Sequence, residues 1–244
     1  MNHLVTAEKD FGENVLPSME ARAFYREWRK LASSGVGTWS AIRDAKFTAA
    51  GKSRDGAWIM TRLRNHLAAL QAERCCYCRR RLVGIAYARP IEHILPKDTY
   101  GQFTFIYRNL AVACFDCNHV KSNNNWSTWP STRRRYPKDK NCSGFFHARL
   151  HEYNSHVRYL HLETNGASIS VYAGLTPQGR HLCAELLAKS SERTLAISAN
   201  PRFSAAMDKL RDQVQQIAAT HDDDKLLDFM EALELSANRG NAKK

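Results

Sequence analysis

The decisive stretch runs Cys75-Cys76-Tyr77-Cys78, then Ile91-Glu92-His93-Ile94-Leu95-Pro96, then Asn109-Leu110, then Cys114-Phe115-Asp116-Cys117-Asn118-His119-Val120-Lys121. Two thiol pairs, Cys75/Cys78 and Cys114/Cys117, frame an acidic residue, a histidine and two asparagines. Each CxxC turn can present two sulfurs to one ion at about 2.3 Å, and two such turns complete a tetrahedral zinc site. Cys76 is an alternative first ligand, but CxxC spacing favours Cys75. A module this small needs a staple, so this zinc is expected to be structural.

The residues between the thiol pairs carry a different chemistry. A phosphodiester is anionic and its leaving alkoxide is poor, so hydrolysis needs charge neutralisation, an activated water and support for the leaving oxygen. Mg²⁺ (or Mn²⁺) serves the first and last needs with one or two protein oxygens, and Glu92 and Asn118 are the candidate ligands. His93 has a reference pKa suited to a general base. Asn109 does not titrate and is expected to brace the loop around His93. Lys121, one helical turn beyond Asn118, is expected to reach phosphate. His119 is read as a surface residue.

Composition agrees with a polyanion target. The 244 residues carry 36 Lys and Arg against 24 Asp and Glu, a net charge of +12, and a basic surface of that size attracts nucleic acid. The run Arg133-Arg134-Arg135-Tyr136-Pro137-Lys138 is the natural strand contact, with a solvated loop as its competitor. Hydrophobic residues make up 43% of the chain, enough for a core. The seven cysteines are odd in number and four sit in CxxC pairs, which suits thiolate–metal bonds in a reducing compartment. Met1 to Gly12 lacks the apolar core of a secretory signal. No apolar run reaches membrane-spanning length. A soluble, cytoplasmic protein is expected.

The fold class expected is α+β, mainly helical, in three parts: an N-terminal helical region over 1–53, a central zinc-stapled module over 54–141, and a C-terminal α+β region over 142–244. Pro17 reads as a helix opener, with Phe24, Trp28 and Leu31 at helical spacing. Residues 39–51 read as a short helix. Residues 54–74 read as a longer one, with Ile59, Leu63, Leu67 and Leu70 inward and Arg62, Arg64, His66 and Arg74 on a solvated face. Residues 81–94 read as two short strands around Gly84. Residues 99–108 read as an ordered loop that buries its aromatics, and a short helix is expected from near Cys117. Strands are expected over 156–162 and 168–175 about an Asn165-Gly166 turn, then a helix opened by Thr176-Pro177. Beyond the Pro201 break, amphipathic helices are expected across 205–235, and with the helix over 17–33 they read as a docking surface for another protein.

The segment over 74–125 resembles the HNH (ββα-metal) nucleases. In that family an acidic residue precedes the general-base histidine, a central asparagine braces the loop, and a final asparagine or histidine follows the second CxxC. Glu92, His93, Asn109 and Asn118 fall on those positions, although aspartate is common where Glu92 stands. More narrowly, the segment is similar to the HNH subunits of Septu- and retron-type anti-phage systems, the PtuB-like proteins, which work with an ABC-type ATPase, PtuA-like, as partner. The resemblance implies a DNA endonuclease effector. Two alternatives stand beside it: a zinc-dependent nucleic-acid-binding module without catalysis, and an HNH nuclease acting on RNA.

Overall fold

The computed structural model describes residues 7–83, 89–164 and 167–189, with 209 and 212. Gly84, the Asn165-Gly166 turn, Pro201 and, but for those two positions, the helices expected across 205–235 lie outside the described residues. Within them the chain is α+β and mainly helical, as its patterning predicts, with three separate antiparallel strand pairs.

Helix α1 (Met19–Ser33) starts where Ser18 accepts a hydrogen bond from the Ala21 N–H, so Pro17 stands ahead of the cap rather than inside the first turn. Its inner face buries Ala21, Phe24 and Tyr25, and the Tyr25 hydroxyl donates to the Phe105 carbonyl. Helix α2 (Trp39–Asp44), capped by Thr38, stops short of the expected 39–51. Residues beyond it form a hairpin, β1 (Lys46–Ala49) with β2 (Lys52–Asp55). The two-residue turn between the strands holds Ala50 at φ 51° and Gly51 at φ 72°, the left-handed pair that matches strand twist. No Asn-Gly or Asp-Gly marks this turn, and the helical reading missed it for that reason.

Helix α3 (Gly56–Leu70) begins at the Asp55 cap. Gly56 is required there, because a Cβ would stand 1.8 Å from the Ile42 carbonyl oxygen. Ile59, Leu63 and Leu67 are buried as expected, whereas Leu70 is exposed. The opposite side is less solvated than its cations suggest. His66 Nε2 lies 2.9 Å from the Tyr107 hydroxyl and 3.2 Å from the Ala7 carbonyl. The Arg62 guanidinium lies 4.2 Å from the centre of the Trp58 ring and donates to Val15 O.

The central strand pair is β3 (Ile91–His93) with β4 (Leu110–Val112), in the register Ile91↔Val112, Glu92↔Ala111, His93↔Leu110. The described partner of β3 thus comes from beyond the 99–108 loop. Residue 81 forms a lone bridge with Arg74. Gln71 closes the edge of β4 with both ends of its amide, accepting from Val112 N and donating to Val112 O, each at 2.8 Å. The loop buries Tyr100, Phe103, Phe105 and Tyr107 as predicted, and leaves Ile106 partly covered. Helix α4 (Phe115–Lys121) opens at Cys114, slightly earlier than expected.

After a short helix α5 (Tyr153–His156), strands β5 (Val157–Thr164) and β6 (Ala167–Gly174) form the expected hairpin. Helix α6 (Pro177–Leu182) starts at the Thr176 cap with Pro177 in its first turn, as read from the sequence. One apolar cluster runs from Ala7 to Leu187, so the hairpin ends and α6 share a core with the central strands.

His147 lies fully buried in that core. Its Nδ1 accepts the N–H groups of Arg149 and Leu150, so Nε2 carries the hydrogen and donates to the Tyr136 hydroxyl at 2.7 Å. Burial pushes its pKa down to about 3 from 6.5. The unfolded chain therefore takes up a proton that the folded chain refuses. This contribution to stability is complete above about pH 6.5 and is lost as pH falls toward 3. Melting temperatures measured between about pH 7 and 5 should fall less steeply for His147→Gln than for the parent chain.

Candidate functional site

The thiol pairs close on one point. The Sγ atoms of Cys75, Cys78, Cys114 and Cys117 all lie within 4.8 Å of one another, and all four residues are buried. Cys78 and Cys114 Sγ are 3.7 Å apart, and a tetrahedral ion with 2.3 Å bonds sets its ligand sulfurs about 3.8 Å apart. Backbone N–H groups aim at the cluster, from Cys114 to Cys75 Sγ at 3.2 Å and from Cys117 to Cys114 Sγ at 3.4 Å. Such donors favour thiolate over thiol. The donor set fits zinc. Cys76 is not among the four; its N–H bonds to Val112 O, edging β4. Among all seven cysteines none is paired in a disulfide.

Successive residues on a strand point to opposite faces, and β3 uses both. His93 is 8% exposed and its Nε2 stands 3.1 Å from the Thr104 carbonyl. A carbonyl only accepts, so Nε2 holds the hydrogen and Nδ1 keeps a lone pair. The Trp39 ring packs edge-on against the imidazole at 4.6 Å between centroids. Burial pushes the His93 pKa down to about 3, and the Thr104 bond opposes that shift. The imidazole is neutral at physiological pH.

Asn109 is fully buried and spends its whole amide on the loops that flank His93. Its Nδ2 donates to Leu95 O and Phe103 O, and its Oδ1 accepts from Leu95 N at 2.8 Å and from the Tyr136 hydroxyl at 3.0 Å. This geometry agrees with a bracing role and gives Asn109 no free atom for substrate.

Glu92 turns the other way. Its Oε1 receives the Tyr77 hydroxyl at 3.2 Å and the Lys121 ammonium at 2.8 Å. Burial pushes its pKa up, and Lys121 pulls it down. The expected phosphate contact at Lys121 is therefore corrected: its side chain is fully buried, donates also to His93 O at 3.1 Å, and stands 5.3 Å from the Trp126 ring centre. Lys121 ties α4 to β3. Asn118, three residues earlier on the same helical face, is half-buried, and its amide makes no hydrogen bond among the described residues. Its amide oxygen is open to a ligand. Glu92 offers Oε2, since Oε1 is engaged.

Arg133, Arg134, Arg135 and Lys138 are exposed. Their loop is pinned to the one that supports His93: Gln102 donates to Ser131 O and Arg133 O, Tyr100 to Trp129 O, and Trp129 to Arg135 O. Sequence reasoning missed Thr104, Trp39, Tyr77 and Trp126. Tyr77 lies inside the first CxxC, so its proximity could be read from position. Trp39 and Trp126 reach the site only through the fold.

No family model matches this chain, and no solved structure matches it. It is similar to the Septu protein PtuB of Bacillus thuringiensis, with 33% identity over 67 residues, 28% of this chain and 26% of that protein. The match thus spans about a quarter of the relative's length. No described helix is long and apolar enough to cross a membrane.

Two expectations follow. Elemental analysis should find about one zinc per chain, and Cys114→Ser should reduce both zinc content and melting temperature. Lys121→Met leaves the Glu92 charge buried without a partner and should lower stability by about 3–5 kcal/mol. The double variant Glu92→Gln/Lys121→Met should recover most of that loss in chemical denaturation; a double variant no more stable than the single one would refute the pairing.

Proposed function

We propose that this chain is a metal-dependent HNH endonuclease that hydrolyses DNA phosphodiester bonds, acting as effector of a bacterial anti-phage complex with an ABC-type, PtuA-like ATPase. The observation that carries this reading is the His93 imidazole. It is held in one tautomer by the Thr104 carbonyl, with Nδ1 left to accept a proton, on a strand stapled to the four-sulfur cluster. A merely structural histidine of a zinc knuckle needs no such fixed free lone pair. The sequence similarity to the Septu protein PtuB supports the defence setting.

In the proposed reaction Nδ1 of His93 takes the proton of the attacking water. Asn109 and Thr104 hold the ring so that the lone pair keeps its direction. Asn118 and the free oxygen of Glu92 would hold Mg²⁺ or Mn²⁺, which when bound neutralises the phosphate and steadies the leaving oxygen. The guanidinium groups of Arg133, Arg134 and Arg135, with Lys138, contact flanking phosphates. The products carry a 5′-phosphate and a 3′-hydroxyl. The chain works in the cytoplasm, where its ATPase partner senses the trigger and restrains the cut.

Plasmid nicking by the purified chain, alone and with its partner, tests the reading. His93→Ala should lower the rate about 10²–10⁴-fold with the zinc content and the fold retained. Undiminished nicking would refute the base assignment, and total RNA cut faster than plasmid would move the substrate class.

A further inference from the structure

Phe115 opens α4, the helix that carries Asn118. It is 55% exposed, the one phenylalanine, tyrosine or tryptophan among the described residues that faces solvent to this degree. It is also not alone. The exposed His119 ring lies parallel to it, with an interplanar angle of 6° and centroids 6.0 Å apart. At about 100° per residue, the two side chains project about 40° apart, and Phe115 about 60° from Asn118. The opposite flank of the helix is closed: Cys117 and Lys121 are both buried. The two parallel rings therefore present aromatic surface to solvent on the same helix as the candidate metal ligand.

The rim of this surface is basic. Arg80 and Arg81 are exposed on the adjoining knuckle, and Arg80 reaches α4 through Asp116 at 2.6 Å. An i, i+4 aromatic pair can stabilise a helix by a few tenths of a kcal/mol, which does not require a large ring in water. A nucleobase has the matching chemistry: a flat π-face to stack on the rings, joined to a phosphate that the neighbouring cations attract.

We infer that Phe115 and His119 stack a nucleobase next to the phosphate to be cut. In a duplex each base is already stacked on both faces, so only an unpaired base can lie on such a surface. The inference rests on the nuclease reading above and deepens it: the substrate class is nucleic acid that is single-stranded or locally opened at the cut.

The test uses the full-length chain carrying His93→Ala, which binds without cutting, and DNA labelled with 2-aminopurine as single strand and as blunt duplex. The single strand should bind more tightly, with its emission quenched. Adding Phe115→Ala should weaken single-strand binding about 10- to 100-fold, the span of one lost base stack, relieve the quenching, and leave duplex binding within about twofold. Phe115→Tyr should retain affinity, and Phe115→Leu, apolar but without a π-face, should lose it as alanine does. Zinc content reports folding for every variant. Equal losses on both DNAs, no loss with alanine, or full affinity with leucine would overturn the stacking role alone. A parent chain that binds neither DNA would overturn the nuclease reading together with it.

Discussion

Four sulfurs converging on one point are the constraint from which the rest of this structure hangs. Cys75 and Cys78 lie in a turn after α3, and Cys114 and Cys117 lie at the start of α4. Everything between them, residues 79–113, is therefore closed into a loop. Closing it costs chain entropy that two strands of three residues each do not repay. The β3–β4 pair is stable because its ends are held by the sulfur cluster and its free edge by Gln71. The backbone donors aimed at Cys75 and Cys114 are themselves parts of the turns that carry the clustered sulfurs, so a metal bound there would couple its binding to local folding.

The second constraint is the ion pair between Glu92 and Lys121, whose side chains are 4% and 0% exposed. Burying two charges is expensive, and an apolar pair of similar volume often serves stability as well. What the pair adds is direction. Lys121 bonds both the Glu92 carboxylate and the His93 carbonyl, and Tyr77 holds the same carboxylate oxygen. Strand, helix and knuckle are thereby fixed in one arrangement.

Much of this was legible in the sequence, and the legible parts share a cause: they depend on short spacings. CxxC spacing picked out the four clustered sulfurs, including the preference for Cys75 over Cys76. Period-3.6 patterning gave α1 and α3, and Thr176-Pro177 gave α6. The failures were of longer range. The β3 partner lies across a loop of aromatic residues, a separation that local patterning does not reveal. The hairpin after α2 turns on Ala50-Gly51, a pair without a strong turn signature. Lys121 carries the same local signal whether it reaches outward to phosphate or inward to Glu92; only the packing of α4 on β3 decides. The buried contacts of Trp39 and Trp126 leave no periodic trace at all.

The Tyr136 hydroxyl lies between two regions usually considered apart. On one side it bonds Asn109, whose amide spans the loops around the imidazole; on the other it accepts from His147 in the core, and its own backbone continues the run Arg133 to Arg135. The arginine loop and the mounting of the His93 imidazole are thus joined through a single hydroxyl. Removing that one hydroxyl would leave the Asn109 brace and the buried His147 each short of a partner at once.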